Sequence, residues 1–224
     1  MPAAIFATPI QVDKRLSEFG ITKEQLLEIV HAMVAARAEC TDNDPPSAPG
    51  WSSWRHGTRR AREVFRPDGW LKDDTDQLPT IVKPAIGMRI AVANTDHGTG
   101  LVEAGVFPQN RSKKGAATDR AVGQTQNTLF GEMGEPDDKV VKFKPRDTHS
   151  ASIATFYLCV FNEGDEVRAE FSCPIRVVDG FFVGFSERII LVGPGDWPPK
   201  IKKPATPDRD TGNGSDFDIP VRRK

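Results

Sequence analysis

Apolar residues first recur at helical spacing after Thr22, where Leu26, Ile29, Val30, Met33 and Val34 follow a 3.6-residue period. Thr22 and Gln25 form a capping-box pair, in which each side chain satisfies an amide that the helix leaves free, and Ile21 with Leu26 stands where a hydrophobic staple fixes the entering chain. The pattern predicts a helix over about 22–40, fading near Cys40 before the loop Thr41-Asp42-Asn43-Asp44-Pro45-Pro46. A second helix is predicted over about 53–66, opened by a serine and closed by Pro67 and Gly69. At helical pitch Trp54, Thr58, Ala61 and Phe65 share one face, and Arg55, Arg59, Arg62 and Arg66 share the adjacent one. Gly57 lies inside this helix and weakens it by about 1 kcal/mol relative to alanine.

Strand character begins at Thr80 and runs to Asn94, interrupted at Pro84, which suits an edge or a break. From 95 to 138 periodicity lapses into Gly, Thr, Asn and Gln, and the expectation is a long loop with a short strand at Leu101–Phe107. Strands return over about 139–192. Val140–Phe143 is a short one, and Ile153 to Phe161 is nearly continuous in apolar residues. Asn162–Asp165 is turn chemistry, and Glu166–Val178 alternates. Asp179-Gly180 is a two-residue hairpin signal because glycine accepts positive φ, and Phe181–Val192 completes a three-stranded meander. Pro174 predicts a bulge in the middle strand. Residues 194–224 are rich in Pro, Asp and Lys and read as a flexible tail, with Trp197 the residue suited to pack back. The expected fold is α+β, a single domain over 1–193 with N-terminal helices packed on a mainly antiparallel sheet.

Composition narrows function mainly by exclusion. Basic and acidic residues nearly cancel, 30 against 31, so electrostatic function must rest on local clusters. The N-terminus lacks the basic start and long apolar run of a signal peptide, and no apolar stretch approaches a membrane span. Three cysteines, an odd number without a C-x-x-C pair, fit a reducing, cytoplasmic compartment and argue against a zinc ribbon or a thioredoxin-type redox site. Cys159 and Cys173 lie in strand-like runs and read as buried thiols.

The cluster that changes the picture is the arginine stripe. Between Trp51 and Lys72 there are six basic residues and two acidic ones. Arginines at i, i+4, i+7 and i+11 present planar forks suited to successive phosphates. His56 and Arg60 add to the local positive potential. Arg111, Lys113 and Lys114 form a second basic cluster, and Lys139, Lys142, Lys144 and Arg146 a third. Trp51, Trp54 and Trp70 surround the stripe. Tryptophan beside arginine can stack on bases or anchor an interface, although Trp54 falls on the core-facing side.

Two Asp/His pairs, Asp96-His97 and Asp147/His149, stand next to strands and would suit a metal-dependent hydrolase if they converged. Their spacing matches no established metal motif, and the same residue types serve turns. Gly98-Thr99-Gly100 is too short for a phosphate loop, and no serine-hydrolase elbow is present.

The sequence therefore favours a non-enzymatic binding protein without metal or cofactor. It would contact nucleic acid or another polyanion through Arg55, Arg59, Arg62, Arg66, Arg111, Lys113 and Lys114. The alternatives are an assembly subunit docking an acidic protein surface, and the Asp/His hydrolase. A membrane partner is not expected.

Overall fold

The structure is a computed structural model and describes residues 3–130 and 153–197. Among the described residues, seven strands form one mixed sheet: β1 (Ala4–Phe6), β2 (Leu71–Asp73), β3 (Thr80–Lys83), β4 (Met88–Asn94), β5 (Ala154–Glu163), β6 (Glu166–Val178) and β7 (Phe181–Val192). Their spatial order is β1-β7-β6-β5-β4-β3-β2. Neighbours are antiparallel except β1 beside β7 and β4 beside β5, which run parallel. Four helices accompany the sheet: α1 (Pro9–Glu18), α2 (Lys23–Ala38), α3 (Ala48–Phe65) and α4 (Ala116–Phe130). The fold is α+β. None of the described helices is long and apolar enough to cross a membrane.

Alternation along each strand divides the core in two. One face carries Ile90, Val92, Phe156, Leu158, Phe171 and Ile189, packed against Leu16 of α1, Leu26, Ile29 and Met33 of α2, and Ala61 and Phe65 of α3. The other carries Ala91, Ala93, Tyr157, Cys159, Phe182 and Phe185, covered by Val122 of α4 and by Phe107. A strand covered on both faces needs apolar side chains throughout, hence the unbroken run in β5. Cys159 and Cys173 are buried, and burial pushes the Cys159 thiol well up and the Cys173 thiol to about 12.

The capping box of α2 forms, with Thr22 Oγ1 accepting from the Gln25 amide at 3.2 Å and Gln25 Oε1 accepting from the Thr22 amide at 2.9 Å. A second box, Thr8 with Gln11, starts α1, and Pro9 occupies its first turn. Sequence reading passes over α1 because its buried stripe is only Val12 and Leu16. Arg15 completes the attachment, donating from Nε and Nη2 to the two oxygens of Glu187 on β7 at 2.6 and 2.7 Å.

α3 begins at Ala48, ahead of the expected 53, because Pro49 is well suited to a first turn. Its buried stripe is Ser53, Gly57, Ala61 and Phe65, with Trp54 and Thr58 half-buried beside it. Gly57 is therefore more than a weak point. A Cβ there would lie 2.5 Å from Met33 Cγ and 3.0 Å from Val92 Cγ1, so the missing side chain lets α3 meet α2 and β4.

The expected loop over 95–138 is corrected by α4, and Leu101–Phe107 is turn and coil instead of strand. α4 escapes notice because threonines share its sheet-facing side. Buried Thr125 accepts from the Thr155 amide at 2.9 Å, and Thr155 Oγ1 donates to the Ala121 carbonyl at 3.1 Å. Pro84 opens a short 3₁₀ turn between β3 and β4, and Pro174 sits between two register shifts in the β6–β7 ladder. Residues 194–197 form a closed turn: the Gly193 amide donates to Asp196 at 3.0 Å, and the Trp197 ring stands 4.6 Å from that of His31. The remainder of the expected tail and Val140–Phe143 lie outside the described residues.

Candidate functional site

β4 ends at Asn94, and this residue fixes the start of α3. Its Oδ1 accepts from Ser53 Oγ at 3.0 Å and its Nδ2 donates to the Gly50 carbonyl at 2.7 Å. The first turn of α3 is thereby held over the carboxyl end of a strand paired in parallel with β5, a position where open sheets commonly bind ligands. The amides of that turn contribute little: Ala48 N–H is bonded to the Pro45 carbonyl at 2.8 Å, and Pro49 has none.

The chain beyond β4 returns to this point. Thr95 bridges to Asn110, and the Arg111 amide donates to the Asn94 carbonyl at 3.1 Å. Asn110 is 2% exposed and acts as a clamp. Its Nδ2 donates to Ser112 O at 2.7 Å and Gly180 O at 2.8 Å, and its Oδ1 accepts from the Phe182 amide at 3.0 Å. The Lys114 amide donates to the same Gly180 carbonyl at 2.9 Å. Asp179 and Gly180 both take positive φ, 52° and 85°, as a tight two-residue turn requires. A Cβ on Gly180 would lie 3.0 Å from the Lys114 carbonyl oxygen, so this turn and the basic segment are fitted to each other.

These attachments create a cleft of about 500 Å³ lined by Arg37, Trp51, Trp54, Asn94, Arg111 and Lys114, with Ser112 and the Pro46–Gly50 turn completing it. Among the described residues, three basic side chains line it and no carboxylate does. Arg37 comes from the last turn of α2. Arg111 lies at the rim, with Nε donating to the Thr95 carbonyl at 3.2 Å and Nη2 standing 3.2 Å from Glu163. Lys114 is half-buried, its Nζ 5.9 Å from the centre of the Tyr157 ring, and burial holds its pKa below the ordinary lysine value. Trp51 is 58% exposed, and the Arg55 guanidinium lies over its ring at 5.4 Å.

The arginine stripe is placed less simply. Arg55 adjoins the cleft through Trp51, whereas Arg59, Arg62 and Arg66 line a separate shallow groove farther along α3. Arg59 is paired with Glu63 at 2.7 Å, and Arg62 is partly buried against Asp74. Arg60 bridges Glu28 and Glu63. Arg55 and Arg66 make no ion pair among the described residues. Lys113 lies 6.0 Å from the Phe181 ring centre and does not line the cleft. Trp70 is a core residue at 2% exposure.

The expected Asp/His pair at 96–97 is turn chemistry: Asp96 Oδ1 accepts from the Gly98 amide at 3.1 Å and the Gln109 amide at 3.0 Å, and His97 is exposed. Asp147, His149 and the Lys139–Arg146 cluster lie outside the described residues. Among the described residues, no group of three or more His, Cys, Asp or Glu is placed to hold a metal.

Of the residues that line or brace the cleft, the sequence singles out Arg111, Lys114 and the tryptophans, but not Arg37, Asn94 or Asn110. Arg37 carries a weak signal, a base in a helix's last turn ahead of a Pro-rich return. The two asparagines carry none beyond standing at turns. Compared with protein-family models, curated proteins and solved structures, the chain matches none.

Proposed function

We propose that the protein binds a single-stranded nucleic acid, with phosphates held by the cations of the cleft and by Arg55, Arg59 and Arg66 along α3. The observation that carries this reading is that Arg37, far along the chain from Arg111 and Lys114, lines one cleft with them, walled by Trp51 and Trp54 and without a carboxylate among the described residues. Cations supply affinity for the backbone, and an exposed indole offers every base a stacking surface, which favours unpaired strands over duplex. The paired arginines Arg59 and Arg62 keep their geometry through Glu63 and Asp74, so they contribute less than the cleft.

The test is fluorescence anisotropy of short single-stranded DNA, single-stranded RNA and duplex at two salt concentrations, with wild type and Arg111→Glu/Lys114→Glu. The expected result is salt-dependent binding of single strands, at least tenfold weaker in the double variant at unchanged circular dichroism. The logarithm of affinity should fall with the logarithm of salt by about 0.7 per phosphate contacted. Failure of every strand to bind at low salt overturns the reading and turns the search to acidic protein surfaces.

A further inference from the structure

We infer that the cleft receives the end of a strand, holding a terminal phosphate monoester between Arg37, Arg111 and Lys114 with the terminal base against Trp51. This rests on the nucleic-acid reading and adds which part of the strand the cleft selects.

Charge is the first argument. A bridging phosphodiester carries one negative charge, whereas a monoester carries roughly 1.5 to 2 near neutral pH. Along α3 the arginines Arg59 and Arg62 are already matched by Glu63 and Asp74, leaving a surface suited to weak diester contacts. Among the described residues three basic side chains line the cleft and no lining carboxylate offsets them, and Arg111 alone of the three reaches a carboxylate, Glu163, at the exposed rim. Lys114 is half-buried, its ammonium near an aromatic ring and without an ion pair among the described residues. A dianionic group matches that set better than a monoanionic one.

Shape is the second argument. The cleft holds about 500 Å³, within the range of small-ligand sites. Its walls pair an exposed indole with the cations, so phosphate and base of one nucleotide can be engaged together. Asn94 and Asn110 brace the recess from beneath, which suits a site that discriminates one group.

The test uses full-length wild type and one internally labelled oligonucleotide sequence in four forms: 5′-phosphorylated, 3′-phosphorylated, hydroxyl-ended, and covalently circular. One phosphorylated form should bind at least tenfold tighter than the hydroxyl-ended form, and the circle should bind no tighter than the latter. The matching nucleoside monophosphate should displace the phosphorylated strand and quench tryptophan fluorescence, with the quench lost in Trp51→Leu. Equal affinity for all four forms overturns end selection while leaving strand binding intact. Binding of none of the four overturns the nucleic-acid reading itself.

Discussion

Arg188 lies fork-to-fork against Glu170 inside the protein, Nε to Oε1 at 2.9 Å and Nη2 to Oε2 at 2.5 Å, with side chains 2% and 0% exposed. The pair also organises the segment that leads to the cleft. Glu170 accepts from the Gly100 amide at 2.8 Å and from Ser172 Oγ at 2.7 Å, while Arg188 Nη1 donates to the Val106 carbonyl at 2.7 Å. Breaking such a pair leaves one charge stranded. Arg188→Met should therefore lose about 3–5 kcal/mol of stability. Glu170→Leu/Arg188→Met should lose less than the sum of the two single variants, because no charge remains buried. It should still be less stable than wild type, since orphaned backbone groups such as the Gly100 amide cost about 1–3 kcal/mol each. Urea denaturation of the four proteins measures this, and additive losses would rule out the coupling.

Gly57 gives an independent check on packing. Alanine is the better helix former by about 1 kcal/mol, so an isolated helix would gain from Gly57→Ala. Here the new methyl would stand 2.5 Å from Cγ of Met33, itself 0% exposed, so it must displace a fully packed side chain. A net loss of about 1–3 kcal/mol is expected. Met33→Ala alone should lose about 2–5 kcal/mol, and in that background Gly57→Ala should cost little, because the collision is removed. Denaturation midpoints decide the sign, and stabilisation by the single substitution would refute the close-approach role.

What the sequence reveals about this fold follows from how local each signal is. The Thr22–Gln25 box and the Asp179-Gly180 turn each lie within four residues, and both have the geometry their chemistry implies. α4 is concealed because its buried side chains include Thr118 and Thr125, whose hydroxyls find partners only in the folded state. Gly57 reads as a flaw because Met33 and Val92, the atoms that need its space, belong to other elements. The site shows the same division. Its basic residues are visible as types, but Arg37, Trp51 and Lys114 come to line one cleft only after the fold sets Asn94, Asn110 and Gly180 in place. Ion pairing is equally invisible along the chain: Arg62 finds Asp74 across a turn, and half of the predicted stripe is already engaged.

Asn110 should act on binding without touching the ligand. It ties Ser112, Gly180 and Phe182 together, and so sets where Arg111 and Lys114 emerge. Asn110→Ala should lower stability by about 1–3 kcal/mol through its unpaired neighbours. It should also weaken strand binding severalfold at a temperature where both proteins are fully folded. A merely structural role would leave the affinity of the folded protein unchanged. Anisotropy at low temperature, with folding checked by circular dichroism, separates the two.

Lys114 carries the sharpest prediction, because stability and binding should respond to it in opposite directions. Burial disfavours its ammonium, so the folded protein releases that proton below the ordinary lysine value of 10.5. Between the lowered pKa and that value the unfolded chain binds more protons, and this residue's contribution to stability therefore rises with pH through the window. Burial of Cys159, Cys173 and Tyr157 acts in the opposite sense at alkaline pH, since the folded state keeps those protons longer. The Lys114 contribution is accordingly read as the difference between wild type and Lys114→Met. At neutral pH Lys114→Met should be the more stable protein by about 1 kcal/mol, and this advantage should shrink as pH rises. For a chain of this length that corresponds to a Tm higher by about 2–4 °C. Strand affinity should behave in reverse, falling with pH through the same window in wild type as the cation is lost, and already weak and flat in Lys114→Met. Melting curves and anisotropy at matched pH values provide both readings. A Lys114→Met protein that is less stable at neutral pH yet binds normally would show that the ammonium belongs to the scaffold and not to the site.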